Sequence, residues 1–312
     1  MNTQNSDLLI ITAGSNYLDI DAYACIVAMA ELLNLQDIPA IAYSTAPSNY
    51  SVCSSLAKEG RIIQELPSDI SEESAKYIIV DVSDPQFLKS SVSIEKIVEV
   101  YDHHAGFEDY WTRYIGDGAH IEFIGAAATL IYREWKKSGL SDQMKLSTAK
   151  LLIAAILDNT LNLTSSNTTR EDIDVFRALC AHAGVSEEFR ASYFSEVQKN
   201  IEADLKNALF GDIKTVRDNP ILPPKVAQLC IWRAESVLAR LDEIYNWFVP
   251  FRESWMINII DLSENCSYFL CDDVMNQEKI SHVFDVCFEA GIAKTNEPYL
   301  RKQIIKKTVS QV

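Results

Sequence analysis

The sequence predicts an α/β protein: an N-terminal parallel sheet with helices on both faces, followed by a smaller α+β C-terminal domain. Three observations predict it. Residues 1 to about 160 alternate short apolar strand-like runs with helix-length amphipathic segments, the pattern of a parallel sheet crossed by helices. Beyond them the strand-like runs are fewer and the helical stretches longer. At 312 residues the chain also exceeds one comfortable hydrophobic core, so two domains are expected, at residues 1–188 and 195–312.

The elements follow in order. Leu8 to Thr12 is a short apolar strand, and Ala22 to Leu33 a helix with apolar residues at Ala24, Ile26, Val27, Met29, Ala30 and Leu33. Strands are expected at Pro39 to Tyr43, Tyr77 to Val80, Ile97 to Tyr101 and Ile121 to Ile124, the last leading through Gly125 into a helix that ends near Lys137. A helix from Ser147 to Leu157 follows. From Ser186 to Leu209 the periodicity reads as one long connecting helix, and Val226 to Trp232 and Trp255 to Leu262 read as strands of the second domain. No internal repeat or low-complexity segment interrupts this order.

Composition excludes several classes. Hydrophobic residues make up 48% and charged ones 23%, as in average globular proteins, and no run approaches the ~20 apolar residues that span a bilayer. No membrane association is expected. Met1 to Asp7 carry neither a basic segment nor a signal-type apolar run, so a cytoplasmic protein is expected. The seven cysteines include no C-x-x-C pair and read as reduced core thiols. A formal charge of −16 argues against long nucleic acid as a partner and leaves a small anionic phosphate compound, drawn in by metal ions or by local cations such as Arg301, Lys302, Lys306 and Lys307. A homodimer is held open.

The informative feature is where the acids fall. Asp19-Ile-Asp21 follows the first strand after a loop, Asp81 ends the Tyr77 strand, and Asp102-His103-His104 ends the Ile97 strand. In an open parallel sheet the strand C-termini line the ligand crevice, so the three groups converge. Crowded carboxylates tend to take up protons unless cations compensate. Oxygen and imidazole donors suit hard or borderline divalent ions. Mn²⁺ is the first choice, as two ions, with Mg²⁺ or Co²⁺ as alternatives. Two ions about 3.5 to 4 Å apart would acidify a water and clamp a phosphoryl group. A lone D-x-D is usually a helix cap and a His pair usually structural; it is the joint arrangement that points to a metal site. His120, His182 and His282 lie outside it. A phospho-aspartate route through Asp19 is disfavoured because Ala13 to Leu18 separate it from the strand, and no P-loop is present.

These residues resemble the DHH phosphoesterase superfamily, over nearly the whole chain. Gly14 to Asp21 looks like its first motif, Val80-Asp81 the second, Tyr101-Asp-His-His104 the third, and Gly125-Ala-Ala-Ala-Thr129 the helix start that follows. Ala154 to Asp174, with Leu157-Asp-Asn-Thr-Leu-Asn162 and Thr168-Thr-Arg-Glu-Asp172, resembles motif four of the branch holding family II inorganic pyrophosphatases and exopolyphosphatases. Asp212-Ile-Lys214 and Arg301-Lys302-Gln303 resemble its C-terminal DHHA2-type substrate-binding segments.

The resemblance implies that Asp19 and Asp21 bind one metal each, that Asp81 bridges the two, and that His103 is a ligand. It implies that His104, Lys214, Arg301 and Lys302 grip phosphate oxygens, with closure of the domains about the segment Ser186 to Ala191. Asp81, His103 and His104 would carry the catalysis. Two positions depart from the pattern. Ser15 stands where family II pyrophosphatases carry a His, which favours the exopolyphosphatase-like branch. Asn159 stands where motif four places an Asp, so either Asn159 coordinates through its carbonyl oxygen or Asp158 replaces it. The activity implied is metal-dependent hydrolysis of pyrophosphate or short polyphosphate; the alternative is a degenerate relative that binds phosphate compounds or a protein partner without turnover.

Overall fold

The computed structural model describes residues 8–58, 62–68, 70 and 75–309; the N-terminal stretch Met1 to Asp7 lies outside the described residues. The chain divides into two compact units, residues 1–190 and 191–312.

The first unit runs β1 (Leu9–Thr12), α1 (Ile20–Leu35), β2 (Ala40–Ala42), α2 (Ser54–Ala57), β3 (Lys76–Val80), β4 (Ile97–Asp102), α3 (Glu108–Ile115), β5 (Ala119–Ile121), α4 (Ala127–Lys137), α5 (Leu146–Asn159) and α6 (Arg170–Ala183). Its five strands are ordered β2-β1-β3-β4-β5, and every pairing is parallel. The chain steps from β1 outward to β2 and then returns to the other side of β1 for β3. The strand order therefore reverses between β1 and β3, where a parallel sheet opens its ligand crevice.

Alternation along the strands explains the layers. Ile10, Tyr77, Ile79 and Val100 share one face, where they bury Trp111 of α3, whose indole N–H donates to the Ser83 carbonyl at 2.6 Å. On the opposite side α1, α4 and α5 pack against one another, with the Trp135 indole donating to the Ala28 carbonyl at 3.1 Å. α1 and α5 are apolar almost all round, as expected of buried elements.

α7 (Glu188–Ala203) crosses from the first unit into the second, which continues with α8 (Leu205–Gly211), β6 (Lys214–Thr215), β7 (Lys225–Ile231), α9 (Glu235–Leu238), α10 (Leu241–Phe248), β8 (Trp255–Asp261), β9 (Cys266–Cys271), α11 (Val274–Phe284), β10 (Ile292–Lys294) and α12 (Arg301–Val309). The sheet order is β10-β9-β8-β7-β6, with β7 and β8 parallel and the other pairs antiparallel. Met256, Phe269, Ile280, Phe284 and Ile304 form its core.

Three differences from the sequence-based expectation have physical causes. The single helix expected from Ser186 to Leu209 breaks at Asp204, whose backbone leaves the helical region at φ −141° and ψ 50°. The fifth strand lies two residues earlier than expected: His120 stacks on Tyr101 of the adjacent strand at 4.4 Å, and Phe123 is turned outward instead of pairing. β9 went unread because Cys266 to Cys271 is nearly all buried and so lacks the polar alternation that marks a half-exposed strand.

No helix among the described residues is long and apolar enough to cross a membrane. None of the seven cysteines forms a disulfide.

Candidate metal centre

The crevice is built from the strand ends. Asp19 caps α1, its carboxylate accepting from the Ala22 N–H at 2.9 Å. One residue into the helix, Asp21 is 0% exposed, and its two oxygens accept from Ala127 N–H and Ala128 N–H, both at 2.8 Å. It thereby caps the first turn of α4 from another element, satisfying amides that no helical carbonyl can reach.

β3 ends in Asp81, held in the left-handed region at φ 57°, its N–H donating to the Tyr101 carbonyl at 2.7 Å. A carboxylate tolerates that conformation better than most side chains do. One of its oxygens, Oδ1, is buried and has no hydrogen-bond partner. Facing it at 3.4 Å is His103 Nε2, also buried and unpartnered. The other nitrogen of that ring, Nδ1, lies 3.2 Å from the Ile124 carbonyl, so it carries the proton and leaves Nε2 with its lone pair toward Asp81. Asp21 Oδ2 is 3.9 Å from the same Nε2.

His104 is the exposed member, with 64% of its side chain open to solvent, and its Nδ1–H donates to Asp102 Oδ1 at 2.8 Å. That buried carboxylate oxygen also receives the backbone N–H groups of His103 (2.8 Å) and His104 (3.2 Å). Asp102 is thus the fastening of the triplet. Donor atoms of Asp81, His103 and His104 lie within 4.8 Å of one another.

The electrostatics fit this packing. Burial, and after it the charges of Asp19 and Asp21, push the Asp81 carboxyl well above the usual carboxylate range. Burial also raises Asp21, against the lowering effect of His103. Burial would raise Asp102 too, but the hydrogen bond and charge of His104 outweigh it and hold Asp102 below the ordinary value; the same bond raises His104. The site therefore holds one firmly ionised carboxylate and several that a cation would relieve. Two buried, unpartnered donor atoms facing each other across 3.4 Å, one oxygen and one imidazole nitrogen, are a donor set that fits a divalent ion of the Mn²⁺ type. The ring is already oriented by the Ile124 carbonyl, as the outer partner of a ligating histidine usually does.

The remaining expected site residues have their own settings. Asp158 and Asn159 end α5, half-buried. Directly after them Leu161, Asn162 and Leu163 all take positive φ (49°, 59° and 66°), an unusual run for residues with side chains. Ser15 turns from the crevice, donating its hydroxyl to the Phe87 carbonyl at 2.9 Å. In the second unit Lys214 and Lys302 are exposed, whereas the Arg301 guanidinium is held by the carboxylate and carbonyl of Asp212. Arg301 is placed by further contacts: its N–H donates to Gln228 Oε1, which also receives buried Asn258.

The sequence places Asp172 in the motif-four stretch but gives it no role. It is 0% exposed and accepts from Gly125 N–H (2.9 Å), Thr129 Oγ1 (2.6 Å), Thr169 N–H (2.7 Å) and Thr169 Oγ1 (2.7 Å), closing a capping box at α6. Gly125 has to be glycine: a Cβ there would stand 2.6 Å from both Asp172 Oδ2 and Thr160 Cγ2. The T-x-x-D spacing of Thr169 and Asp172 was the available signal.

The parallel sheet gathers Asp81 and the D-H-H triplet at adjacent strand ends, the arrangement by which the sequence resembles the DHH phosphoesterases. No protein-family model matches the chain. It is 26% identical over 302 residues, 93% of this chain and 91% of the relative, to a Shouchella clausii protein named "Probable manganese-dependent inorganic pyrophosphatase". A Bacillus licheniformis protein of the same name is 26% identical over 178 residues, a match spanning only 56% of each chain. A Methanococcus jannaschii protein assigned to the family II inorganic pyrophosphatases has the same fold, with a TM-score of 0.64 at 18% identity over 96% of this chain and 98% of that one. Over nearly its whole length the chain is thus similar to proteins named as manganese-dependent inorganic pyrophosphatases, and it shares the fold of a family II member.

Proposed function

We propose that the chain hydrolyses phosphoanhydride bonds, in pyrophosphate or short polyphosphate, using two Mn²⁺ ions, with Mg²⁺ or Co²⁺ as alternatives. The observation that carries this reading is the facing pair Asp81 Oδ1 and His103 Nε2, buried and without partners. Asp81 and His103 would hold the metal, with Asp19 and Asp21 beside them. Bound divalent ions would supply an acidified water and charge compensation for the phosphoryl oxygens.

The chain's own groups do the rest. The Ile124 carbonyl fixes the tautomer of His103, and the Asp102 carboxylate favours the protonated form of His104 and holds its ring by Nδ1. His104 then donates to a phosphoryl oxygen as the water oxygen bonds to phosphorus and the bridging P–O bond breaks. The departing phosphate carries the electron pair of that bond, and the water's proton passes to solvent. Of the second unit's cations, Lys214 and Lys302 are exposed for contact with a phosphate.

The test is colorimetric phosphate release from pyrophosphate and tripolyphosphate with millimolar Mn²⁺. Release that chelation abolishes is expected; none above the blank of an Asp81→Asn protein rejects the reading.

A second reading, a relative that binds phosphate compounds or a protein partner without turnover, is favoured by two observations: both Asp21 oxygens already serve α4, and motif four carries the uncharged Asn159. Asn159→Asp separates the two. If Asn159 faces the ions, the added charge raises Mn²⁺ affinity about tenfold, ~1.4 kcal/mol, in a calorimetric titration, and release rises with it. Unchanged affinity would remove motif four from the metal site.

A further inference from the structure

We propose that Gln228, backed by Asn258, is a positioning residue for phosphate binding by the second unit: it ties the segment Asp212 to Lys214 and the start of α12 to one point of the sheet. The proposal rests on the preceding reading only in taking Lys214 and Lys302 as contacts for a phosphate.

Two amides stand side by side in the middle of that sheet. β7 and β8 are its parallel pair, and Gln228 lies opposite Asn258 in their register. Asn258 is 0% exposed, in a strand whose other residues from Trp255 to Ile260 are apolar and buried. Burying an amide is costly unless its atoms are hydrogen-bonded, and Asn258 Oδ1 has no partner. The core alone therefore does not account for an asparagine here. Two residues earlier on each strand, and so on the same face, Val226 and Met256 share a cluster with Ile304 of α12. Both amides accordingly face that helix.

Their bonds show what they hold. Asn258 Nδ2 donates to the Tyr299 carbonyl at 2.6 Å, just before α12, and to Gln228 Oε1 at 3.3 Å. The same Gln228 oxygen receives the N–H of Arg301, the first residue of the helix, at 2.6 Å. From its main chain, Gln228 donates its own N–H to Asp212 Oδ2 at 2.8 Å. Asp212 in turn engages the Arg301 guanidinium through its carboxylate and its carbonyl. One residue thus fixes Asp212, two positions before Lys214, and Arg301, one position before Lys302.

With Arg301 engaged, the exposed lysines 214 and 302 are the cations these two segments offer to a phosphate. A lysine is a point charge on a flexible stem. Anchoring the backbone that carries it reduces the freedom lost when it grips an anion, and affinity rises by that saving.

The experiment measures affinity for methylenediphosphonate, whose P–C–P link cannot be hydrolysed, by calorimetry with Mn²⁺ present. Gln228→Met keeps the side-chain length and removes the acceptor, and affinity is expected to fall about tenfold. Asn258→Leu, of nearly the same shape, should lower it about threefold. Mn²⁺ affinity without the diphosphonate should equal the parent's in both variants; a parallel loss would mean that they act through folding and overturns the proposal. Lys302→Ala should weaken diphosphonate binding in the parent and much less in Gln228→Met, because a displaced lysine has less to lose. Fully additive losses, unaltered affinity in Gln228→Met, or no binding to the parent also overturn it. Turnover does not enter: a chain that binds the diphosphonate as described but releases no phosphate from pyrophosphate keeps this proposal and loses the hydrolytic reading.

Discussion

Changing Asp81 to asparagine should abolish Mn²⁺-dependent phosphate release, lowering turnover by at least about a hundredfold, more than loss of a residue that merely supports a metal ligand costs. Asparagine is the informative replacement, because the backbone at φ 57° would strain alanine, whereas Asn accepts the left-handed region. The same change should stabilise the metal-free protein. Burial holds the Asp81 carboxyl well above its ordinary range, so the folded state binds its proton more tightly than the unfolded chain does. Stability from that proton is present at low pH and is lost as pH rises from the ordinary carboxylate range through the raised value. At neutral pH the metal-free chain carries the cost and the Asn variant does not. Saturating Mn²⁺, about 100-fold above its dissociation constant, should stabilise the parent by ~2.7 kcal/mol and raise its melting temperature by roughly 5 to 10 °C, and this gain should vanish in Asp81→Asn. Equal Mn²⁺ shifts in the two proteins would show that the ion binds elsewhere.

The second large effect is on folding. Asp172→Ala should cost about 3 to 5 kcal/mol, since the buried amide of Gly125 and hydroxyl of Thr129 lose their acceptor and α6 loses its capping box. For a unit of this size that is a fall in melting temperature of roughly 10 °C. Asp172→Asn keeps one carbonyl oxygen and should lose about half as much. Thermal unfolding by circular dichroism without added metal decides; a drop under about 1 kcal/mol in the alanine protein would mean that the network relaxes onto water.

The parts of the centre legible in the sequence are those where an apolar run stops abruptly at an acid. Tyr77 to Val80 can only be a buried strand, so Asp81 has to emerge at its end, and the same holds for Ile97 to Tyr101 and the triplet after it. What the sequence hides is which way each side chain turns. Nothing in Asp102-His-His104 says that the first residue holds the other two in place, or that Asp21 spends both oxygens on amides 106 and 107 residues away. The role of Asp172 was hidden for a related reason: its partners at Gly125 and Thr129 are remote in sequence, and a buried acid that serves only backbone and hydroxyl groups has the same letter as one that serves an ion. Asp204 hides too, because a single polar residue on a long amphipathic pattern gives no sign that the helix will break there.

Asp21 has one more implication, for how sequences of this kind are read. Its carboxylate fastens the start of one helix to the first turn of another, so the fold needs an acid there even in a protein that has stopped using metal. Finding D-x-D at this place in a distant chain would report a structural clasp as readily as an enzyme. The more telling atoms are the buried ones that face each other without a hydrogen-bond partner, Asp81 Oδ1 and His103 Nε2.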